Sequence, residues 1–510
     1  MAFAAGIMRR HHVRFGTSAA LLTVLAGPFA GAQKPKLENQ PCSARFGLFD
    51  EQTRPIARCG TITVPQDRAA PNDPKLQAVV LPVVVYTAPT ARGTPVLFLD
   101  GGPGGSAIAA AQEVLFQTPF GQLLLRERSL ITFDRRGIAT DEHRTSPDLG
   151  YANYQERYPR AQALSVLRDT VSRLAEALRN RGVAPRNFTT LAAVDDIADV
   201  LHALGYNRVV VFGASYGSRE ALHFVRRHPE MVESMILDGV APPEATTLLD
   251  SATIVNAGRA IVSRIVDDCR KDQACRFDYA DLQGAVDRLS ADTTGALQRT
   301  ANFPDNGGWH TLEARGAAIL SVVGMASTRE AIRAEAPRVL LELASQDTLR
   351  TALAARVLAA AAADPILSGI SEQSVPIIRY IGFCGDRPQG EPFSGDRRLC
   401  DALGVPFSGP EAIARVTTDV PILLISSGYD AQTPPRFADA TAGALKNSHR
   451  VLFPTVGHIA TVRPVAMGCA AIIIESFLAQ PYRAPVTECV GSVVPAFSSR
   501  SSMPTPRAPE

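Results

Sequence analysis

Along much of this chain, short runs of apolar and β-branched residues alternate with longer stretches in which apolar residues recur every three or four positions. The short runs are typical of strands buried in a parallel sheet, and the longer stretches are typical of helices that cover one. Their alternation predicts an α/β fold with a mostly parallel, doubly wound sheet. The predicted strands are 59–65, 77–86, 95–99, 129–133, 208–212, 235–237, 420–426 and 450–453, and the predicted helices are 161–181, 191–204, 218–227 and 435–445.

The pattern changes between residues 242 and 375. Helical spacing dominates there, with an alanine-rich stretch at 352–363 and no convincing strand, so we predict a helical cap inserted into the sheet domain. The apolar residues at 375–381 indicate either a further strand or the edge of the cap. The predicted division is a signal peptide at 1–32, a core domain at 33–241 and 376–495, the cap at 242–375, and a disordered tail at 496–510.

The first 32 residues have the features of an export signal. Arg9, Arg10 and Arg14 precede an apolar span at 19–29, and Ala-Gly-Ala at 30–32 forms a small-residue cleavage site. The apolar span is too short to cross a membrane, and the alternative is a disordered extension. We therefore predict an exported protein, periplasmic or extracellular, with no stable membrane insertion after the signal is removed.

Composition and charge describe a globular protein. Hydrophobic residues make up 46% of the 510 positions and charged residues 20%, which is enough to bury a large core in one large domain with an insertion, or in more than one domain. The net charge is only +2 and no basic face stands out, so we expect no nucleic-acid partner. The sequence gives no indication of the oligomeric state.

All eight cysteines follow the predicted cleavage site. An even number of cysteines in an exported protein favours disulfides, although spacing alone does not fix their connectivity. A zinc site is the alternative, but the chain has no C-x-x-C pair and no histidine at ligand spacing near them. We expect neither a metal nor a cofactor. The predicted disulfides join near neighbours: Cys42–Cys59, Cys269–Cys275, Cys384–Cys400 and Cys469–Cys489.

The segment 213–217 reads Gly-Ala-Ser-Tyr-Gly and stands between a predicted strand and a predicted helix. This pattern is typical of a nucleophile elbow, in which two glycines allow a sharp turn that presents a serine at a helix N-terminus. Such a short pattern also arises by chance, and the strand and helix around it favour the functional interpretation. Ser215 is therefore the candidate nucleophile, and the N–H of Tyr216 is a candidate oxyanion donor.

A glycine-rich loop, Asp-Gly-Gly-Pro-Gly-Gly-Ser at 100–106, follows the predicted strand at 95–99. Glycine at this density lets the backbone approach a ligand closely and turn its N–H groups inward. The loop does not match a phosphate-binding loop, and the dinucleotide-binding frame fails because residue 107 is alanine. An oxyanion loop fits, with Gly102 as the second donor.

Nine histidines compete for the role of the base that a serine nucleophile needs. Only His458 occupies a loop directly after a C-terminal strand, where the chain order Ser, Asp, His would place it. Asp430 follows the preceding strand and is the favoured carboxylate. Asp386 is the second choice, and Asp401 has no predicted strand in front of it.

Three aspartates at 195, 196 and 199 lie on the predicted helix 191–204. We interpret Asp195, Asp196 and Asp199 as the solvated face of an amphipathic helix rather than as a metal site.

The motifs together resemble a known family. Residues 100–105 resemble the H-G-G-P-G-G loop of prolyl iminopeptidases, with aspartate in place of histidine. Five further motifs resemble the secreted bacterial tripeptidyl aminopeptidases: Cys-Gly-Thr-Ile-Thr-Val-Pro at 59–65, Gly-Ala-Ser-Tyr-Gly at 213–217, Leu-Asp-Gly-Val at 237–240, Gly-Tyr-Asp-Ala-Gln-Thr-Pro at 428–434 and Gly-His at 457–458.

This resemblance covers the core, roughly 40–241 and 376–490. It implies an α/β-hydrolase fold, a helical cap over the active site, and release of residues from peptide N-termini. The turn at 136–141, Arg-Gly-Ile-Ala-Thr-Asp, departs from the usual R-G-x-G-x-S. In iminopeptidases, cap carboxylates hold the substrate's amino group, and the candidates here, none of which matches closely, are Glu244, Asp250, Glu330 and Glu335.

Three hypotheses of different classes follow. The first is an exported serine aminopeptidase that releases prolyl residues or short peptides through an acyl-enzyme. The second is a serine carboxylesterase or lipase with the same machinery, acting on a small ester. The third is a catalytically silent binding protein on a hydrolase fold. Dehalogenase and epoxide-hydrolase chemistry is set aside, because it needs a carboxylate at position 215.

Overall fold

The computed structural model describes residues 35–499, except for 44–45, 48–49, 139–159, 247–250, 292–301, 306–307, 312–316, 346–375 and 389–396. The predicted signal peptide at 1–32 and the alanine-rich stretch at 352–363 lie outside the described residues. So does the predicted tail, apart from residues 496–499.

The first half of the described chain alternates strands with helices, as the apolar pattern predicts. Three elements, the first strand and the first two helices, were not predicted. In chain order the elements are β1 Leu37–Gln40, β2 Ala57–Val64, β3 Val79–Tyr86, β4 Gly93–Leu99, α1 Ala107–Glu113, α2 Pro119–Glu127, β5 Arg128–Phe133, α3 Arg160–Asn180, α4 Thr190–Leu204, β6 Val209–Ala214, α5 Tyr216–Arg227 and β7 Val232–Asp238.

The second half begins with the helical insertion and then returns to the sheet. The insertion contains α6 Ser251–Lys271, α7 Gln273–Asp278, α8 Leu282–Ala291, the hairpin of β8 Asn302–Asp305 and β9 Gly308–Thr311, α9 Ala317–Ala326 and α10 Glu330–Ala344. The chain continues with α11 Pro376–Gly385, α12 Arg397–Leu403, β10 Ile422–Ser427, α13 Pro435–Ala442, β11 Ser448–Phe453 and α14 Met467–Ala479.

Nine strands form one sheet in the order β1-β2-β3-β5-β4-β6-β7-β10-β11. The six strands from β5 to β11 in this order are parallel, and β1, β2 and β3 extend one edge in antiparallel pairing. Strand β6 lies between β4 and β7, with Leu99 opposite Gly213 and Ala214 opposite Asp238. The glycine-rich loop and the candidate nucleophile therefore leave the same edge of the sheet, as do the residues after β7.

The sheet buries apolar residues on both of its faces. Strand β6 is buried along its whole length, with Val209 and Val211 in the cluster on one face and Val210 and Phe212 in the cluster on the other. Burial on both faces explains why its sequence is an uninterrupted apolar run rather than an alternating one. A third cluster forms the core of the cap helices and includes Tyr429 and Ala431.

The structure differs from the predicted secondary structure in two places. For the apolar residues at 375–381 the sequence indicates either a strand or the edge of the cap, and the structure places 376–381 in helix α11, because a short apolar run fits a buried helix as well as a strand. Ile377, Ile378 and Ile381 of this helix pack into the core of the sheet domain. The cap also contains the β8–β9 hairpin, where we predicted no convincing strand.

The structure contains four disulfides, and these join the near neighbours proposed from the sequence: Cys42–Cys59, Cys269–Cys275, Cys384–Cys400 and Cys469–Cys489. No described helix is both long and apolar enough to cross a membrane.

The interpretation of three aspartates as a solvated helix face is wrong for one of them. Asp196 is fully buried and binds two guanidinium groups, at 2.6 Å from Arg136 Nη2 and 2.5 Å from Arg68 Nη2. Asp195 and Asp199 are partly exposed and pair with Arg227 and Arg68, respectively. Charge alone could not reveal this burial, because the partner arginines lie on other segments of the chain.

Candidate active site

Ser215 occupies a strained turn between β6 and α5. Its φ of 53° and ψ of −123° lie where a non-glycine residue is uncommon. The two flanking glycines are required by space: a Cβ on Gly213 would lie 2.8 Å from the carbonyl oxygen of Gly217, and a Cβ on Gly217 would overlap the carbonyl of Leu99. The backbone N–H of Ser215 donates to the carbonyl of Asp238 at 2.9 Å. The G-x-S-x-G spacing is thus a steric requirement of this turn.

Ser218 fastens the turn to the loop that follows β7. Its hydroxyl donates to the carbonyl of Ser215 at 2.5 Å and accepts the N–H of Ala241 at 2.8 Å. Tyr216 begins α5, so its N–H has no acceptor within the helix and is available beside the serine. The helix N-terminus also favours negative charge at this point.

His458 lies in the loop after β11 and faces Ser215. Its Nε2 is 3.0 Å from Ser215 Oγ, and its Nδ1 is 2.7 Å from Asp430 Oδ2. The histidine residue is 9% exposed and Asp430 is 2% exposed, so the pair is largely shielded from water. The three residues, separated by up to 243 positions in the chain, form a continuous hydrogen-bonded chain.

The carboxylate of Asp430 is held by its own loop. Oδ1 accepts the backbone N–H groups of Gln432 and Thr433, both at 2.9 Å. Oδ2 accepts the Thr433 hydroxyl at 2.6 Å in addition to His458. With four donors on two oxygens, the carboxylate is fixed in orientation, and its negative charge is stabilised by charge-assisted hydrogen bonds.

The glycine-rich loop lies directly against the nucleophile. A Cβ on Gly101 would lie 2.7 Å from the Cβ of Ser215, so only glycine allows this approach. Gly102 has a φ of +114° and precedes a cis peptide bond to Pro103. Asp100, which replaces the family's histidine, has its pKa raised to about 6 by burial and by the nearby Asp134, while the N–H of Gly101 and the charge of His458 oppose this rise.

Several buried charged side chains lie next to the nucleophile elbow, on and around helix α5. Arg135 Nη1 is 2.7 Å from Glu220 Oε1, and Arg219 Nη1 is 3.1 Å from Asp386 Oδ2. The Tyr216 hydroxyl donates to the same carboxylate of Asp386. Burial raises the pKa of Glu220 to about 7, with repulsion from neighbouring carboxylates adding to the rise and Arg135 opposing it. Burial likewise raises the pKa of Tyr216 well above its usual value.

The alternative carboxylates lie elsewhere. Asp386 binds Tyr216 and Arg219, and Asp401 is an exposed residue of helix α12. Among the cap candidates for the substrate amine, Asp250 lies outside the described residues. The other three each face a guanidinium: Glu244 with Arg415 at 3.2 Å, Glu330 with Arg333 at 3.9 Å, and Glu335 with Arg338 at 2.9 Å.

Two residues of the site, Thr433 and Asp238, had no role assigned from the sequence. Thr433 binds Asp430, and Asp238 binds the backbone after His458. Asp386, the second choice for the catalytic carboxylate, binds the Tyr216 hydroxyl instead. The contacts of Asp430 with residues 432 and 433 had a local signal, because an aspartate in a turn commonly accepts hydrogen bonds from the backbone that follows it. Nothing local distinguishes Asp238. Within the described ranges, no group of three or more His, Cys, Asp or Glu side chains is arranged to hold a metal ion.

The whole arrangement matches a known fold family. Residues 94–462 match the family model described as alpha/beta hydrolase fold, and the chain belongs to this family. The α/β-hydrolase fold with a helical cap, expected from the resemblance, is therefore confirmed.

Named relatives include peptidases. The chain is 25% identical over 232 residues to serine protease Hip1 of Mycobacterium tuberculosis, which covers 43% of this chain and 42% of that protein. It is 25% identical over 224 residues to tripeptidyl aminopeptidase of Streptomyces coelicolor, covering 42% and 40%. The match thus spans about two fifths of each of these relatives. The resemblance to this branch of hydrolases, noted from the sequence motifs, is confirmed.

The comparisons also include an esterase and a solved structure. The chain is 25% identical over 284 residues to carboxylesterase B of Mycobacterium tuberculosis, covering 51% of this chain and 53% of that protein. Among solved structures, proline iminopeptidase of Mycobacterium smegmatis aligns over 82% of this chain and 98% of its own, with 15% identity and a TM-score of 0.39.

Proposed function

We propose that this hydrolase is an exported serine aminopeptidase, which releases prolyl residues or short peptides from peptide N-termini through an acyl-enzyme. The observation that supports the proposal most strongly is the hydrogen-bonded chain from Ser215 Oγ through the imidazole of His458 to Asp430. A serine hydroxyl is a weak nucleophile until a base removes its proton, and a carboxylate on the far nitrogen fixes the imidazole in the required tautomer.

In the acylation step, Ser215 Oγ attacks the carbonyl carbon of the scissile bond while His458 Nε2 takes the hydroxyl proton. Asp430 accepts the hydrogen bond of Nδ1–H and stabilises the imidazolium. His458 then gives its proton to the leaving amine, which departs with the electron pair of the broken C–N bond. A water molecule, deprotonated by His458, attacks the ester of Ser215 and releases the acid, after which the serine recovers its proton.

The tetrahedral intermediates carry negative charge on the former carbonyl oxygen. We assign its stabilisation to the N–H groups of Tyr216 and Gly102, the first at the head of α5 and the second in the loop that touches Ser215. Loss of one donor of this kind typically costs about 10²–10³ in kcat.

The peptide substrate is supported by two relatives whose names specify a serine protease and a tripeptidyl aminopeptidase. Their matches cover about two fifths of the chain, so substrate class is part of the proposal. Export is supported by four disulfides, which persist in oxidising compartments. Sequencing the N-terminus of the mature protein from periplasm and medium tests export, and a cytoplasmic protein that starts at Met1 would contradict it.

A carboxylesterase is the second candidate, because one relative that matches about half of this chain is named carboxylesterase B. The two candidates share every residue of the machinery and differ in the leaving group. A peptidase must protonate an amine as it departs, whereas an ester's alkoxide is a better leaving group and demands less of the acid.

The discriminating experiment compares chromogenic prolyl and tripeptidyl amides with p-nitrophenyl esters, alongside a peptide-library digest read by mass spectrometry. The aminopeptidase proposal expects amide cleavage with N-terminal products. The control is Ser215→Ala, for which activity falls by about 10⁶-fold. Rapid ester turnover with no amide cleavage would replace the aminopeptidase by the esterase, and no Ser215-dependent turnover of either kind would leave the silent binding protein.

A further inference from the structure

Asp238 is a buried carboxylate that the catalytic mechanism above does not use. It ends β7, next to the strand that carries Ser215, and is fully buried. Its side chain accepts three hydrogen bonds, from the N–H of Ala460 at 3.2 Å, the N–H of Thr461 at 2.8 Å and the hydroxyl of Thr461 at 2.7 Å. All three donors belong to the two residues that follow Ile459 in the histidine loop.

The backbone of Asp238 binds the candidate nucleophile, Ser215. Its carbonyl accepts the N–H of Ser215 at 2.9 Å. One residue therefore holds the nucleophile through its main chain and the segment after His458 through its side chain. A displacement of this residue would change the distance between Ser215 Oγ and His458 Nε2, which is 3.0 Å.

The segment that Asp238 holds is strained. Ile459, directly after His458, has a φ of 64° and a ψ of 88°. A β-branched residue with positive φ is rare, because its side chain crowds the following carbonyl. Such conformations persist only where surrounding contacts impose them, and they concentrate at functional sites. The N–H groups of Ala460 and Thr461 are the first beyond the strained residue, and both donate to Asp238.

We propose that Asp238 is a positioning residue for His458: its carboxylate holds the histidine loop in the strained turn that directs the imidazole at Ser215. The inference rests on the proposed serine-hydrolase function of this site. A second hydrogen bond supports the same conformation of the histidine loop: Arg463 Nε donates to the carbonyl of His458 at 2.8 Å.

The chemistry explains why the position takes a carboxylate. Three donors converge on two oxygens, and a carboxylate offers only acceptors. Asparagine has nearly the same shape, but it replaces one oxygen with an NH₂ group that faces a donor. Asp238→Asn therefore breaks at least one hydrogen bond and places the new NH₂ group opposite a backbone N–H donor, with little change in side-chain volume.

The first test measures the direct effect. Asp238→Asn should lower kcat by about 10²-fold, which is typical of a misplacement of about 1 Å at a reacting group, with KM little changed. Thr461→Val removes only the hydroxyl donor and should lower kcat less, so it provides a milder variant if Asp238→Asn folds poorly. Asp401→Asn, at an exposed aspartate, is the control for the charge change.

The second test isolates the strain. Ile459→Gly allows positive φ without cost, whereas Ile459→Ala truncates the side chain to its Cβ and keeps the crowding of an L-residue. If Asp238 serves to impose this conformation, the loss of kcat caused by Asp238→Asn should be about tenfold smaller in the Ile459→Gly background than in the Ile459→Ala background. A residue that merely stabilised the fold would give equal losses in the two backgrounds.

The outcomes separate this inference from the proposed function. If the wild-type enzyme is active and Ser215-dependent but the two backgrounds give equal losses, or the effect of Asp238→Asn falls entirely on KM, the positioning role is wrong and the function stands. If the wild-type enzyme shows no Ser215-dependent activity, the proposed function fails, and the positioning role fails with it.

Discussion

Glu220 lies on α5, one turn beyond the nucleophile elbow, and is 5% exposed. Burial raises the pKa of its carboxyl from 4.5 to about 7, and the charges of Asp386, Asp100 and Asp196 add to the rise, whereas Arg135 opposes it. The native protein therefore binds a proton at Glu220 more tightly than the unfolded chain does. We predict that this one carboxyl makes the protein less stable as the pH rises.

The sign and size follow from linkage. A carboxyl with a raised native pKa contributes its full stability below the unfolded pKa of 4.5, and this contribution is lost as the pH rises to about 7. At 1.36 kcal/mol per pKa unit, the loss between about pH 5 and about pH 8 amounts to about 2–3 kcal/mol. Glu220→Gln removes the titration, since the amide resembles the protonated acid in shape.

The assay is urea unfolding of both proteins at several pH values in this range. The free energy of unfolding of Glu220→Gln, minus that of the wild type, should become more positive by about 2–3 kcal/mol from about pH 5 to about pH 8. Glu475→Gln makes the same chemical change at an exposed site and should give a difference that does not vary with pH. A constant difference for Glu220→Gln, or one of opposite sign, would refute the reasoning.

Substitutions at three further residues test the structure in and around the site. Thr433→Val removes a hydroxyl that lies 2.6 Å from Asp430 Oδ2, and we expect kcat to fall by about tenfold, with thermal unfolding as the check that the fold persists. Tyr429→Phe removes the 2.6 Å hydrogen bond to Asp268 of the cap and should lower the free energy of unfolding in urea by about 1–3 kcal/mol. Tyr429→Leu also removes the ring that packs against the Arg333 guanidinium and should lower it further. Equal losses for the two variants would contradict the role of the ring. Gly217→Ala places a Cβ against the carbonyl of Leu99, so the yield of folded protein should drop sharply; a fully active alanine variant would contradict the steric account of the elbow.

The sequence was most informative where one local pattern determines one element. The uninterrupted apolar run of β6, followed by G-A-S-Y-G, predicts a buried strand, a tight turn and a helix, and the structure has all three. Strands β10 and β11, which end at Ser427 and Phe453, likewise place Asp430 and His458 in loops at the same edge of the sheet. Chain order and the parallel sheet are sufficient to bring them near Ser215.

The sequence was less informative where tertiary contacts decide. The residues of α11 are apolar enough for a strand, and only packing against the sheet domain makes them a helix. Asp196 reads as solvated because its partners, Arg136 and Arg68, lie far from it in the chain. Asp238 belongs to the same class, because the donors that give it a role come from a loop more than two hundred residues later.

The most direct measurement of the central claim is covalent labelling of the purified enzyme with a fluorophosphonate, read by intact-protein mass spectrometry and peptide mapping. The account predicts one adduct per chain, on Ser215, formed rapidly in the wild type, slowly in His458→Ala and not at all in Ser215→Ala. An unlabelled wild-type protein, or an adduct on another residue that survives Ser215→Ala, would contradict the account.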